Sequence, residues 1–121
     1  MMLAKLDEWI KDVKEKANPD ELGMILIHNG IVRGTSKDGK QIKTMRLSCE
    51  RKELEKYIES VKKHDGIVDI RVWINEGVLK VGDDIMFVLV AGRFRTDVLP
   101  MLQEVLTKIK KEFIREEELF T

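Results

Sequence analysis

Between Asp84 and Arg93 the chain reads IMFVLVAG, a run without one polar side chain. A half-buried strand alternates apolar and polar residues, so an unbroken apolar run fits a strand covered on both faces. Any fold for this chain has to supply that cover. The run stops abruptly at Arg93 and Arg95, and a helical pattern follows at once. Two guanidinium groups at the mouth of the most buried strand suit either a bound anion or an ordinary surface turn.

The other elements follow from spacing. Leu3, Leu6, Ile10 and Val13 recur at intervals of three and four and predict an amphipathic first helix, broken at NPDELG by Pro19. GMILIHNGIVRG predicts a strand ending near Arg33, and the Asp-Gly pair of TSKDGK predicts a hairpin returning into the partner strand QIKTMRLSC. Leu54, Tyr57, Ile58 and Val61 predict a second helix from about Arg51 to His64, closed by Gly66. IVDIRVWI alternates as a strand, and NEGVLKVGDD reads as turns. Val98, Leu102, Val105, Ile109 and Phe113 define the last helix, with Thr96 or Asp97 as N-cap and Pro100 near its first turn. REEEL reads as its solvated end. The expected fold is an α+β sandwich, three helices packed on a mainly antiparallel sheet, in one domain spanning 1–121.

Composition narrows the function. The chain has 121 residues, 43% hydrophobic and 36% charged, with a formal net charge of zero. Binding to nucleic acid or a membrane surface needs surplus positive charge, so neither is expected. Any anion site must come from a local cluster of cations. The single cysteine, Cys49, excludes an internal disulfide and fits a reducing cytoplasm. No segment has the length of a membrane span or the pattern of a signal peptide. Abundant Lys and Glu with scarce Asn and Gln match proteins of hot habitats.

Three cations stand out. On a wheel of 100° per residue, Lys110 falls just outside the apolar border formed by Leu99 and Leu106. That predicts a stem in apolar surroundings and an amine at a pocket rim, where partial desolvation makes a lysine a useful base or nucleophile. A lysine snorkelling over apolar surface fits the same place. Arg33 and Arg95 each sit at a strand end with a planar fork suited to phosphate or carboxylate. Singly, each also suits a surface residue. His28, His64 and Cys49 lack metal-ligand spacing, and GTSKDGK departs from a phosphate loop.

The order HNGIVRG, LSCE, VWINEGVLKVGDD, VLVAGRFR, LTKIKKEF resembles the large, catalytic subunit of molybdopterin synthase from about Gly23 to Phe113. Gly30, Val32 and Arg33 match its G-x-V-R element, Leu47 and Glu50 its L-x-x-E, and Gly77, Leu79, Gly82 and Asp83 its G-x-L-x-x-G-D. The family's His-Arg pair becomes Phe94-Arg95, and its essential lysine falls on Lys110. The resemblance implies an α/β-hammerhead-like fold and a sulfurtransferase without a resident cofactor. A ubiquitin-like small subunit would present a C-terminal thiocarboxylate, and sulfur would pass to cyclic pyranopterin monophosphate in molybdenum cofactor biosynthesis. By this analogy Lys110 is catalytic, while Arg33, Phe94 and Arg95 bind substrate. The assembly implied is a homodimer of large subunits within a heterotetramer, with Arg33 and Arg95 meeting from opposite protomers. Three departures accompany it. A second family lysine falls on Glu117, or on Arg115 with a short deletion. A family His-Arg pair is Ile74-Asn75, and the sequence stops at Thr121, short of the family's extension. A non-catalytic paralogue that binds a ubiquitin-like tail or a small anion is the alternative.

Overall fold

The computed structural model describes the backbone of residues 2–121 and the side chains of 5–121. The side chain of Leu3, the first apolar position counted above, lies outside the described residues. The apolar run forms strand β5 (Asp84–Gly92) at the centre of an antiparallel sheet, between β1 (Met24–Ile31) and β3 (Ile67–Ile74). Both faces are covered, as the run requires. Leu89 and Ala91 point to helix α1 (Met2–Lys16), packing with Val13, Ile25 and Ile27. Val88 and Val90 point the other way, into a larger core with Val98, Met101, Val105 and Ile109. Residues 88–91 are 0% exposed, so each large side chain among them contributes about 1.5–3 kcal/mol of burial.

That larger core is closed by helix α2 (Arg51–Val61) and helix α3 (Arg95–Lys108), both on the face opposite α1. A second three-stranded sheet completes the fold, ordered β4 (Gly77–Lys80), β2 (Ile42–Cys49), β6 (Ile114–Phe120) and antiparallel throughout. The architecture is α+β with three α-helices on antiparallel sheet, as expected.

Several local expectations need correction. The Asp-Gly turn exists, with Gly39 at φ 84° and Thr35 bridged to Gln41. The strands it joins do not pair: β1 belongs to the first sheet and β2 to the second. Val32 exchanges backbone hydrogen bonds with Gly82 and Asp83 instead, so the β4–β5 turn takes hold of the chain as β1 ends. The short strand β4 lies where only turns were expected, set off by Gly77 and Gly82 at positive φ.

REEEL is a strand and not a helix end. In β6, Glu116 pairs with Leu47, Glu117 with Arg46 and Ile114 with Cys49. It is an edge strand, and a run of carboxylates discourages further strands from pairing there. The same charges hide its two-residue period. α3 therefore ends at Lys108, and Ile109–Phe113 wind into a π-helical turn before β6 begins. At the other end Phe94, not Thr96 or Asp97, is the N-cap, with no side-chain cap. Pro100 sits inside the helix beyond its first turn. α2 stops at Val61, short of His64, and Gly66 at φ 87° closes the connection to β3.

Candidate functional site

Arg33 follows β1, exposed, and its Nε donates to the Thr35 carbonyl at 2.9 Å. Phe94 and Arg95 follow β5. Phe94 is 60% exposed, and Arg95 opens α3, exposed and without an ion-pair partner among the described residues. Arg93, by contrast, is neutralised where it stands. Its Nη2 lies 3.3 Å from Asp65 and its Nε 3.4 Å from Asp97, and its guanidinium covers the Phe94 ring at 5.3 Å. The hydrogen bond to Asp65, helped by its charge, raises the Arg93 pKa further.

Lys110 lies in the π turn, so the 100° wheel no longer applies at its position. Its side chain is 66% exposed, with the amine 4.0 Å from Glu116 Oε1. Leu106, Thr107 and Lys111 share its shallow recess. Sequence spacing missed Glu116 because its own strand, β6, was read as a helix end. Pairing of β6 with β2 brings this carboxylate back beside the turn that carries Lys110.

The three cations do not form one cluster within a single protomer. β1 and β5 are antiparallel, with Met24 opposite Gly92 and Ile31 opposite Asp84. Arg33 and Arg95 therefore leave opposite ends of β5, about 26 Å apart at 3.3 Å per residue. Arg95 and Lys110 are parted by the length of α3, about 20 Å at 1.5 Å per residue. Arginine side chains are too short to close either gap.

The positions that depart from the family pattern have structural work of their own. Glu117 pairs with Arg46 at 3.6 Å, and Arg115 stands exposed opposite Ser48. Ile74 is buried, and Asn75 Nδ2 donates to the Asp84 carbonyl at 2.9 Å. Cys49 is half-buried at the end of β2, and burial, with the charges of Glu76 and Glu50, pushes its thiol pKa up. Among the described residues no group of three or more His, Cys, Asp and Glu side chains is disposed to hold a metal ion. No helix among the described residues is long and apolar enough to cross a membrane.

A recess of about 500 Å³ lies elsewhere, between α1, α2 and β3. Its arginines are already engaged, Arg51 with Glu76 and Arg71 with Asp12 and Asp69. Size alone does not make it the anion site.

Residues 4–112 match the family model described as MoaE protein. An uncharacterized protein of Methanocaldococcus jannaschii is 31% identical over 111 residues, covering 88% of this chain and 89% of its own length. Among solved structures, molybdopterin synthase from Staphylococcus aureus superposes with a TM-score of 0.75 at 18% identity, covering 93% of this chain and 84% of that one. The complex of subunits 1 and 2 of the Helicobacter pylori molybdopterin-converting factor gives 0.76 at 17% identity, covering 98% and 78%. The MoaE protein of Burkholderia ambifaria gives 0.70 at 21%, covering 96% and 79%. At these identities the structural likeness speaks for the fold, and the family match speaks for descent: the chain belongs to the MoaE protein family, the large subunit of molybdopterin synthase.

Proposed function

We propose that this chain is the catalytic subunit of a molybdopterin synthase in the cytoplasm, working as a homodimer within a heterotetramer. A ubiquitin-like small subunit delivers a C-terminal thiocarboxylate, and two sulfurs pass to cyclic pyranopterin monophosphate to make the dithiolene of molybdopterin. Arg33 and Arg95 bind the anionic groups, the substrate phosphate and the tail carboxylate, with guanidinium forks. Phe94 supplies an apolar wall beside Arg95. Lys110 stabilises negative charge developing at the tail carbonyl, or serves as acid, base or transient acceptor of the tail.

One observation carries this reading. Arg33 and Lys110 emerge from different elements than Arg95, and β5 and α3 hold Arg95 about 20 Å or more from both. Unpartnered Arg95 and exposed Phe94 are then free to complete the pocket of a second copy. The test is sulfur transfer in vitro with a thiocarboxylated small subunit and the pterin precursor. Product formation that survives Lys110→Ala unchanged removes Lys110 from the reaction.

A second reading has its own support. Phe94 has no ionisable group, and Glu117 is committed to Arg46, so two positions that carry proton-transferring or cationic groups in the resembled family do not carry them here. A non-catalytic paralogue would bind the small subunit tightly, by calorimetry, and yield no product.

A further inference from the structure

The larger core has one titratable group on its β1 side that the reading above does not use. His28 lies in β1, an edge strand of its sheet, opposite Val88 of β5. It shares its strand face with Met24 and Leu26, which pack into the α3-side core, while Ile25 and Ile27 face α1. The next residue on that face is Gly30. A Cβ there would stand 3.3 Å from His28 Nε2, so the missing side chain leaves room for the ring to lean toward the Arg33 end of the strand. No hydrogen bond holds either ring nitrogen among the described residues.

The side of α3 that covers His28 follows from what α2 occupies. Leu54 and Ile58 of α2 share a recess with Ile70 and Ile74, so α2 covers the β3 half of the sheet. On α3 and the turn after it, Lys108 lies over the Tyr57 ring of α2 at 5.8 Å and Phe113 stacks on it at 5.5 Å. The opposite flank, which carries Leu102 and Leu106, therefore faces the β1 half, and Lys110 follows in the π turn at the same end of α3. The heights agree as well. Gly92 pairs with Met24, and a Cβ on it would stand 2.7 Å from Val98 Cγ2, so these three residues are level. α3 begins where β5 ends and packs on β5 and β1, which makes it run along β1 in the same direction. From Met24 to His28 is about 13 Å of strand. The same length of α3 takes about nine residues, from Val98 to Thr107, between Leu106 and Lys110.

We propose that His28 is a further ligand-binding residue of the Lys110 site, a hydrogen-bonding imidazole in the floor beneath the anion that Lys110 and Arg33 hold. The assignment rests on the anion-site reading above and not on the sulfur chemistry. Within the sheet the ring neighbours Met86 and Val88 of β5 and Leu26 and Gly30 of its own strand. The placement of α3 argued above adds Leu102, Leu106 and Lys110, and the charged groups there are Lys110 and its carboxylate neighbour Glu116. Burial also pushes the imidazole pKa below its ordinary value, so in the empty site the ring is a neutral acceptor and donor. An anion bound beside it favours the imidazolium, and binding then brings in a proton.

The experiment is a histidine NMR titration of the full chain with and without sulfate, whose charge does not change over the range used. The expected result is a rise of about one pH unit in the His28 midpoint at saturating sulfate, with exposed His64 unmoved. By linkage, sulfate affinity falls up to about tenfold from pH 5.5 to 7.5 in the wild type. It becomes independent of pH in both His28→Phe and His28→Gln, two variants of different polarity that guard against a mere folding defect. An unmoved His28 while amides near Arg33 and Lys110 respond to sulfate overturns the assignment and leaves the anion site standing. No response anywhere overturns both. A protein that passes this test but transfers no sulfur keeps the His28 site and loses the proposed reaction.

Discussion

Arg95 is the first residue of α3, and Lys110 lies in the π turn just past its last, Lys108, so one rigid helix holds the two apart. A helix cannot shorten to bring its ends together. If both side chains serve one pocket, they come from different copies of the chain, and this gives a genetic style of test. Arg95→Ala and Lys110→Ala homodimers should each be inactive. Mixed and re-equilibrated in equal amounts, half the dimers carry one lesion from each variant, and those have one intact and one doubly damaged pocket. About a quarter of wild-type sulfur transfer should return. Arg33 and Lys110 belong to the same end of one protomer, so mixing Arg33→Ala with Lys110→Ala should restore nothing. Recovery in the second mixture and not in the first would overturn the arrangement.

Lys110→Ala should lower the single-turnover rate by about a hundredfold or more, the loss expected for a group that stabilises charge in the transition state. Affinity for the small subunit should change far less, because the amine is exposed and its nearest carboxylate, Glu116, is on the same chain. Calorimetry beside quenched-flow kinetics separates the two effects. A parallel loss of binding and rate would make Lys110 a docking residue.

The β5 run dictated its own surroundings, since residues apolar on both faces need cover on both, and α1 on one side with α2 and α3 on the other provide it. Partner choice was less legible. The Asp-Gly turn is a local signal and was found, but whether β1 pairs with β2 depends on β6, some seventy residues further along the chain. That strand carries Glu116, Glu117 and Glu118, whose charges suit an edge and mask alternation. Once β6 is misread, the end of α3 is misplaced, and with it the environment of Lys110. Strand ends and a helical wheel singled out Arg33, Arg95 and Lys110 as candidates, and the π turn removes the wheel's ground for Lys110. How far apart the three lie was not legible, because it depends on how β5 and α3 are oriented in space.

Cys49 should be a slow nucleophile. Burial disfavours its thiolate, and the negative charges of Glu76 and Glu50 add to that, with Arg51 opposing. Alkylation by iodoacetamide at pH 8 should run about tenfold or more slower than that of a free cysteine, and should still be accelerating above pH 9. A rate plateau near pH 8 would mean the thiol ionises normally.

The attachment of α1 should show an acid limb. Asp12 is hydrogen-bonded to Lys16 and to Arg71, which holds its carboxyl below the usual value. Arg71 stays charged. Burial alone would lower its pKa, but the hydrogen bonds to Asp69 and Asp12 outweigh it. A depressed folded pKa contributes stability that is present above the unfolded value, about 3.9, and is lost as pH falls through the folded one. Urea unfolding should therefore give a smaller drop between pH 5 and pH 2 for Asp12→Asn than for the wild type. Equal drops would place the acid sensitivity in other carboxylates.

Gly66 should tolerate no side chain. Its φ of 87° is the left-handed region that glycine adopts freely. A Cβ there would meet both carboxylate oxygens of Asp97 at 2.7 Å, and the Asp97 Cγ closer still. Asp97 cannot simply swing away, because it sits in the first turn of α3 and pairs with Arg93, whose backbone N–H donates to the Gly66 carbonyl at 2.9 Å. Gly66→Ala should cost about 2–3 kcal/mol, from backbone strain of about 1 kcal/mol and a steric remainder. Removing the obstructing carboxylate isolates the two parts. In Gly66→Ala/Asp97→Ala the steric part should vanish, leaving the double variant more stable than the sum of the single losses predicts by about 1 kcal/mol or more. Strict additivity would mean that the carboxylate is not what excludes the methyl group. Because the same turn sets where Arg95 begins α3, the single variant should also lose sulfur transfer disproportionately to its small-subunit affinity.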